Sequence, residues 1–253
     1  MEPSRHPLAL VTGGSRGIGA ATAVALAERG YDVAITYRNK AARANKVVAE
    51  VEQRGVRALP VGCDMTQQAD LDRLFSTLRE WNDRLDLLVL NASGGLERDL
   101  VAADPQYPMR INRDAQLALL DGALPLMPKG GVVVFVTSHW AHLYGQVINL
   151  PVYAPVAETK HAGEQALRER QQVLADRGMR LVVVTGDLVE GTATATLLER
   201  AVPGLTGALR GTAGQLPTVA TMAQAVVTAA TDSTLPNGNT VVVGTPLESL
   251  PRS

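Results

Sequence analysis

The chain is poor in the residues that most readily declare a function. Cys63 is its only cysteine, so no internal disulfide can form, and a reducing, cytoplasmic setting is expected. Its four histidines fall in no His/Cys/carboxylate spacing that would ligate a metal. With no His or metal-ligand partner nearby, Cys63 reads as a packing residue. Aromatic residues make up only 4%, so any pocket is expected to be walled by aliphatic and small side chains. Neither sign of charge dominates. Lys and Arg number 24 against 25 Asp and Glu, a formal net charge of −1, which gives no electrostatic reason to seek nucleic acid or an acidic membrane. No apolar run approaches the roughly 18 residues of a membrane span. The opening Met1-Glu-Pro-Ser-Arg-His-Pro7 has no apolar stretch after its charges, so a secretion signal is not expected. Internal repeats and low-complexity linkers are also missing.

What is present is 253 residues, 46% of them hydrophobic, enough for one large, well-buried α/β domain over 1–253. Short β-branched runs alternate with helical stretches. Strands are expected at Leu8–Val11, Val33–Tyr37, Val56–Val61, Leu85–Leu90, Val132–Thr137, Leu181–Thr185 and Thr240–Val243. Between them fall helices at Ala20–Glu28, Ala41–Arg54 and around Leu71–Trp81. Further helices are expected within Gln106–Met127, from Pro155 to about Ala175, and near Thr221–Ala230. Thr192–Gln215 reads as looser, a mobile lid over about 192–216 that orders on substrate binding. Such alternation predicts right-handed βαβ units and a Rossmann-type, doubly wound parallel sheet flanked by helices. Ligands bind such sheets beyond the carboxyl ends of the strands. The loops after Val11, Tyr37, Val61, Leu90, Val136 and Val184 should therefore share one rim.

That rim carries nearly all the informative residues. Thr12-Gly-Gly-Ser-Arg-Gly-Ile-Gly19 follows the first strand. Its glycines permit a tight turn, close approach of a phosphate, and close packing of helix on sheet. The spacing Thr-Gly-x-x-x-Gly-x-Gly resembles the classical short-chain dehydrogenase/reductase family, and the resemblance runs along almost the whole chain. It implies a cofactor site built from Gly13, Ser15, Arg16, Gly17, Ile18 and Gly19. Asp64, with Met65, matches the family's adenine-contacting acid. Asn91-Ala92-Ser93-Gly-Gly95 matches its Asn-Asn-Ala-Gly segment with altered residues and spacing. Asn112 falls where the family holds a proton-relay water, and Ser138 where it keeps a catalytic Ser. Gly186 and Thr192 fit the loop that reaches the nicotinamide, although Thr185 replaces the usual Pro. An enzyme preferring NAD usually places an acid at the end of the second strand. Here that end reads Thr36-Tyr-Arg-Asn39, and Arg38 and Arg16 suit a 2′-phosphate. The expected cofactor is NADPH.

The family's usual Tyr-x-x-x-Lys is missing, because Val156 stands four residues before Lys160. Tyr153 stands seven before it. At ~100° and ~1.5 Å per residue, Tyr153 and Lys160 would share one helix face about 10 Å apart. Tyr-x6-Lys resembles the family's enoyl-thioester reductases, with Tyr153 as the proton-donating phenol and Lys160 on the ribose. The resemblance implies hydride transfer to a conjugated C=C, with a small-molecule or thioester-linked substrate. Reduction of a ketone remains open, as does a catalytically silent NADPH-binding sensor. Between Ser138 and Lys160 a lengthened loop carries His139, Trp140, His142 and Tyr144. His139 and Tyr144 are rival proton donors to Tyr153. Asp187 and Glu190, in the loop after the sixth strand, bind a polar substrate group or cap the segment. By resemblance, a homotetramer or homodimer is expected.

Overall fold

The computed structural model describes residues 6–252. Seven parallel strands form one sheet in the order β3-β2-β1-β4-β5-β6-β7. These are β1 (Leu8–Val11), β2 (Asp32–Tyr37), β3 (Ala58–Gly62), β4 (Leu87–Leu90), β5 (Val132–Ser138), β6 (Arg180–Gly186) and β7 (Asn239–Val243). The β-branched stretches Val132–Val136 and Val182–Val184 are buried throughout, as befits strands covered on both faces. Alternation divides the inner strands between two cores. Leu8, Leu10, Leu88, Val133 and Val183 face one side, while Ala9, Val11, Val89, Val134 and Val184 face the other. Each fully buried Leu contributes about 2 kcal/mol to stability.

Helices cover both faces. They are α1 (Gly17–Ala27), α2 (Ala41–Glu52), α3 (Gln68–Trp81), α4 (Arg98–Ala103), α5 (Tyr107–Met109), α6 (Ala115–Ala123) and α7 (His139–His142). The later ones are α8 (Ala154–Arg168), α9 (Gln171–Asp176), α10 (Ala193–Ala201), α11 (Leu205–Ala213) and α12 (Val219–Thr231). No helix among the described residues is long and apolar enough to cross a membrane.

Four departures from the sequence expectation matter for the site. The long helix expected within 106–127 is interrupted by a π-turn, Arg110–Asp114, between α5 and α6. The helix expected to reach Ala175 ends at Arg168 and resumes as α9. Ser138 caps a one-turn helix, α7, where a loop was expected, its Oγ accepting from Ala141 N at 3.3 Å. The segment expected to be loose holds α10 and α11. Glu199 joins them by accepting from Gly204 N (2.7 Å) and Thr206 N (2.8 Å), a local cap that overrides weak Gly/Thr propensity. Strand order reverses between β1 and β4, and the crevice outside the strands' carboxyl ends at that point is where such folds bind ligands.

Candidate active site

A cleft of about 430 Å³ opens there, lined from the β1 loop at one end to β6 and α10 at the other. At its first end, Gly13 (φ +66°) and Gly17 (φ +53°) take conformations that disfavour a side chain. A Cβ on Gly17 would meet nothing within 4 Å, whereas one on Gly19 would lie 2.5 Å from Gly13 O. Gly17 therefore fronts open space and Gly19 packs the helix on the loop behind it. No side chain caps the α1 N-terminus, so its N–H groups are free to meet a phosphate. Ser15, Arg16 and Ile18 line the cleft beside them. Thr12 Oγ1 braces the loop from below, donating to Val89 O and accepting from Asn91 N (2.9 Å) and Ala92 N (3.0 Å). Asn91 returns its amide to Thr12 O at 2.9 Å, and Ala92 and Ser93 continue the wall.

Basic side chains gather where β2 ends. Arg38 donates to Tyr107 Oη at 2.7 Å and lies over that ring, so its guanidinium is oriented before any ligand arrives. Arg16, Lys40 and Arg43 line the same end, and no acid follows β2. Asp64 and Met65 form the opposite wall. Asp64 is fixed by Thr66, whose N and Oγ1 donate to its Oδ1 at 3.0 and 2.7 Å. Glycine turn, free helix terminus and basic cluster together fit a dinucleotide with an additional phosphate.

At the other end, Ser138 closes β5 and Tyr153 opens α8. Their hydroxyls lie 3.1 Å apart. Because Ser138 Oγ already accepts from Ala141 N, its proton is available to the phenol or to a ligand. Trp140 packs on Tyr153 with ring centroids 5.5 Å apart. Burial raises the Tyr153 pKa and the Ser138 hydrogen bond pulls it down. The phenol therefore stays protonated near neutrality and acts as a donor. Lys160 is buried, with Nζ donating to Val136 O at 3.1 Å. Burial lowers its pKa to about 8, opposed by Glu164. Asn112 stands in the π-turn with its side chain committed, Nδ2 donating to Gly94 O (2.9 Å) and Thr159 Oγ1 (3.0 Å). Its side-chain Oδ1 accepts from Gly94 N at 3.2 Å, while its backbone carbonyl faces Gly163, where an added Cβ would clash with it. Val156, which stands where the usual Tyr would, is buried; a Cβ on Gly95 would meet its methyl at 3.1 Å.

A sequence model described as short chain dehydrogenase matches residues 7–202. The chain belongs to the short-chain dehydrogenase family. It is an oxidoreductase of that family, and its similarity to individual members is moderate. It is 32% identical over 189 residues to 1-cyclohexenylcarbonyl-CoA reductase of Streptomyces collinus, a match spanning 74% of this chain and 66% of that protein. Among solved structures, the promiscuous reductase LugOII, which catalyses keto-reduction at C1 during lugdunomycin biosynthesis, superposes with a TM-score of 0.80. It is 30% identical, with 95% of this chain and 98% of that one covered. The angucycline C-6 ketoreductase LanV, solved with bound NADP, gives 0.81 at 28% identity, with 96% of each chain covered.

Within this short-chain dehydrogenase, the structure gathers Ser138, Tyr153, Lys160 and Thr192 along one wall. Thr192 caps α10 by accepting from Ala195 N at 3.1 Å. Other expected site residues lie behind the wall. Gly186 packs against Met222, whose Sδ would meet an added Cβ at 2.7 Å. His139 is 2% exposed, beneath the cleft floor. Tyr144 does not line the cleft: its ring lies against His161, centroids 6.1 Å apart, because α7 turns the chain away after Trp140. His142 is drawn the other way, its Nδ1 lying 2.8 Å from the buried Glu164, which also accepts from Arg168 Nε at 2.9 Å. Cys63 is buried and its thiol pKa is pushed up to about 12 by burial and the neighbouring Asp70. Sequence reasoning passed over Lys40, Arg43, Thr159 and the bracing role of Thr12. The run Arg38-x-Lys40-x-x-Arg43 and the adjacency of Thr159 to Lys160 were the available signals.

Proposed function

We propose that this chain is an NADPH-dependent reductase delivering hydride to the β-carbon of a carbonyl-conjugated double bond, as in an enoyl thioester or enone. The observation that carries the reading is the Tyr153 phenol on the Ser138 hydroxyl at 3.1 Å, in a helix where Lys160 follows after six residues. NADPH supplies the hydride when bound. Arg16, Arg38, Lys40 and Arg43 hold its 2′-phosphate end, and Lys160 its ribose. Tyr153 donates a hydrogen bond to the acceptor oxygen as negative charge develops there, the oxyanion logic of a preplaced donor. Lys160, charged below about pH 8, adds a positive field to the same oxygen. Trp140, with Leu198 of α10 and Leu205 of α11, packs around Tyr153 and keeps water from it. These two helices form the lid. The Streptomyces collinus relative is named for a conjugated acyl-CoA.

A second reading is ketone reduction, favoured by the two hydroxyls, Ser138 and Tyr153, which can bond one oxygen together. LugOII and LanV, both described as acting on ketones, support it. Single-turnover oxidation of NADPH with an enoyl thioester, an enone and the matching saturated ketone separates the two. The expected product keeps its carbonyl and loses its double bond; an alcohol product refutes the proposal in favour of the second reading. Binding of NADPH with no turnover of any acceptor would identify a silent sensor. Tyr153→Phe should lower turnover by on the order of 10²–10⁴ while leaving NADPH binding intact.

A further inference from the structure

His139 and Asp187 form a pair that the mechanism above does not use. Register brings them together. Ser138 on β5 pairs with Gly186 on β6, and Thr137 with Thr185, so the residues that follow lie side by side at the sheet's carboxyl edge. His139 Nδ1 stands 3.0 Å from Thr185 Oγ1. A Thr185 hydroxyl that donates to Nδ1 leaves the ring proton on Nε2. Among the described residues that nitrogen is buried without a close hydrogen-bond partner. It lies 3.8 Å from Asp187 Oδ1, a contact short of a hydrogen bond, and the backbone of Val243 and Thr245 also faces the ring. Asp187 Oδ2 accepts from Thr245 N at 2.6 Å. The carboxylate is thus anchored on one oxygen from below, with a second donor poised under the other. Asp187 itself lines the cleft, at the end that holds Ser138, Tyr153 and Lys160.

The charge of this pair is not cancelled locally. Burial lowers the His139 pKa; Asp187 opposes this, His142 adds to it, and the backbone of Thr245 and Val243 opposes it further. The ring is neutral near pH 7 and offers a dipole in place of a cation. Lys160, at the same end, carries the opposite sign. Hydride donation converts a neutral dihydronicotinamide into a cationic ring, with the hydride going to the acceptor carbon and a proton completing the product. A cation formed beside Lys160 alone would be disfavoured. A carboxylate on the facing strand end offsets this.

We propose that Asp187, held by Thr245 and steered by His139, stabilises the oxidised nicotinamide ring over the reduced one and so biases the cofactor toward giving up hydride. Asp187 acts directly on the ring, and His139 is a positioning residue. The proposal rests on the NADP(H) assignment and is independent of which acceptor is reduced.

The test needs no substrate. Dissociation constants for NADP⁺ and NADPH are measured by fluorescence titration for the wild type, Asp187→Asn, His139→Gln and His139→Phe. Asp187→Asn keeps size and an oxygen for Thr245 N–H. It should weaken NADP⁺ by at least about tenfold, since one unit charge about 4 Å away is worth about fivefold in bulk water and about a thousandfold in a partly polar medium, and change NADPH by less than twofold. His139→Phe should lose part of the same discrimination, and His139→Gln, which retains a donor, should restore it. Equal weakening of both nucleotides in Asp187→Asn would overturn the proposal by making Asp187 a general support. Unchanged constants for both would overturn it too. Should the wild type bind neither nucleotide, the cofactor assignment fails first, an outcome distinct from these.

Discussion

Lys160 should be a stability liability, and its removal should make the protein harder to unfold. Burial lowers its pKa from 10.5 to about 8, so the unfolded chain holds the lysine proton more tightly than the folded one. Below pH 8 that difference costs the folded state roughly 3 kcal/mol, at about 1.4 kcal/mol per tenfold change in proton affinity. The cost shrinks as pH rises above 8 and vanishes above 10.5. Lys160→Met removes it, keeps the buried stem, and forfeits the bond to Val136 O, worth about 1 kcal/mol. The net expectation at pH 7 is a gain of about 2 kcal/mol, which for a domain of this size raises Tm by roughly 4–8 °C. By pH 9.5 the wild type has recovered about 2 kcal/mol, and the two proteins should unfold together. Urea denaturation at pH 7 and 9.5 is the assay. Turnover should meanwhile fall by at least about tenfold, because the proposed charge-assisted ligand of the cofactor ribose is lost. A variant less stable than wild type at pH 7, or an advantage that does not change with pH, would refute the reasoning.

Other outcomes follow from the same geometry. Gly163→Ala places a methyl 2.0 Å from Asn112 O. It should cost about 3 kcal/mol or more, read as a lowered urea midpoint, because the atoms the methyl meets are all backbone and cannot rotate away. Arg38→Asp should move preference from NADPH toward NADH, measured as the ratio of kcat/KM for the two; an unchanged ratio would remove Arg38 from the phosphate site. Cys63, with its thiol pushed up to about 12, should resist alkylation at pH 8 in the native state and react at once in denaturant.

The glycine loop could be read from sequence because its requirement is local. Positive φ at Gly13 and Gly17 and the tight packing at Gly19 are properties of a single turn. The inner strands were equally legible, since β1, β4, β5 and β6 are short apolar runs buried almost throughout, whereas the edge strands β3 and β7 are only partly buried. Other features depend on distant partners. α10 and α11 arise where Glu199 caps two backbone N–H groups and leucines pack on the Tyr153 cluster; the Gly/Thr/Ala composition alone suggests slackness. Nothing in His139-Trp-Ala-His142 announces that Ser138 will cap a turn and send Trp140 inward while Tyr144 points away. The Asp187–His139 juxtaposition needs the β5–β6 register, which no single segment contains.

The π-turn at Arg110–Asp114 has a consequence for the molecule's wiring. A π-turn carries one more residue than the α-helix around it, and one residue of helix is worth about 100° of rotation. α5 and α6 are therefore out of phase, although they run on continuously. Leu119 and Leu120 of α6 are packed in the core, while Tyr107 of α5 reaches Arg38 at the far end of the cleft. Deleting a single residue here would let the hydrogen-bond ladder run unbroken, and the helix could then satisfy only one of those two attachments. The wide turn works as a phase shifter, allowing one helix to serve both the packing of the sheet and the aim of the guanidinium.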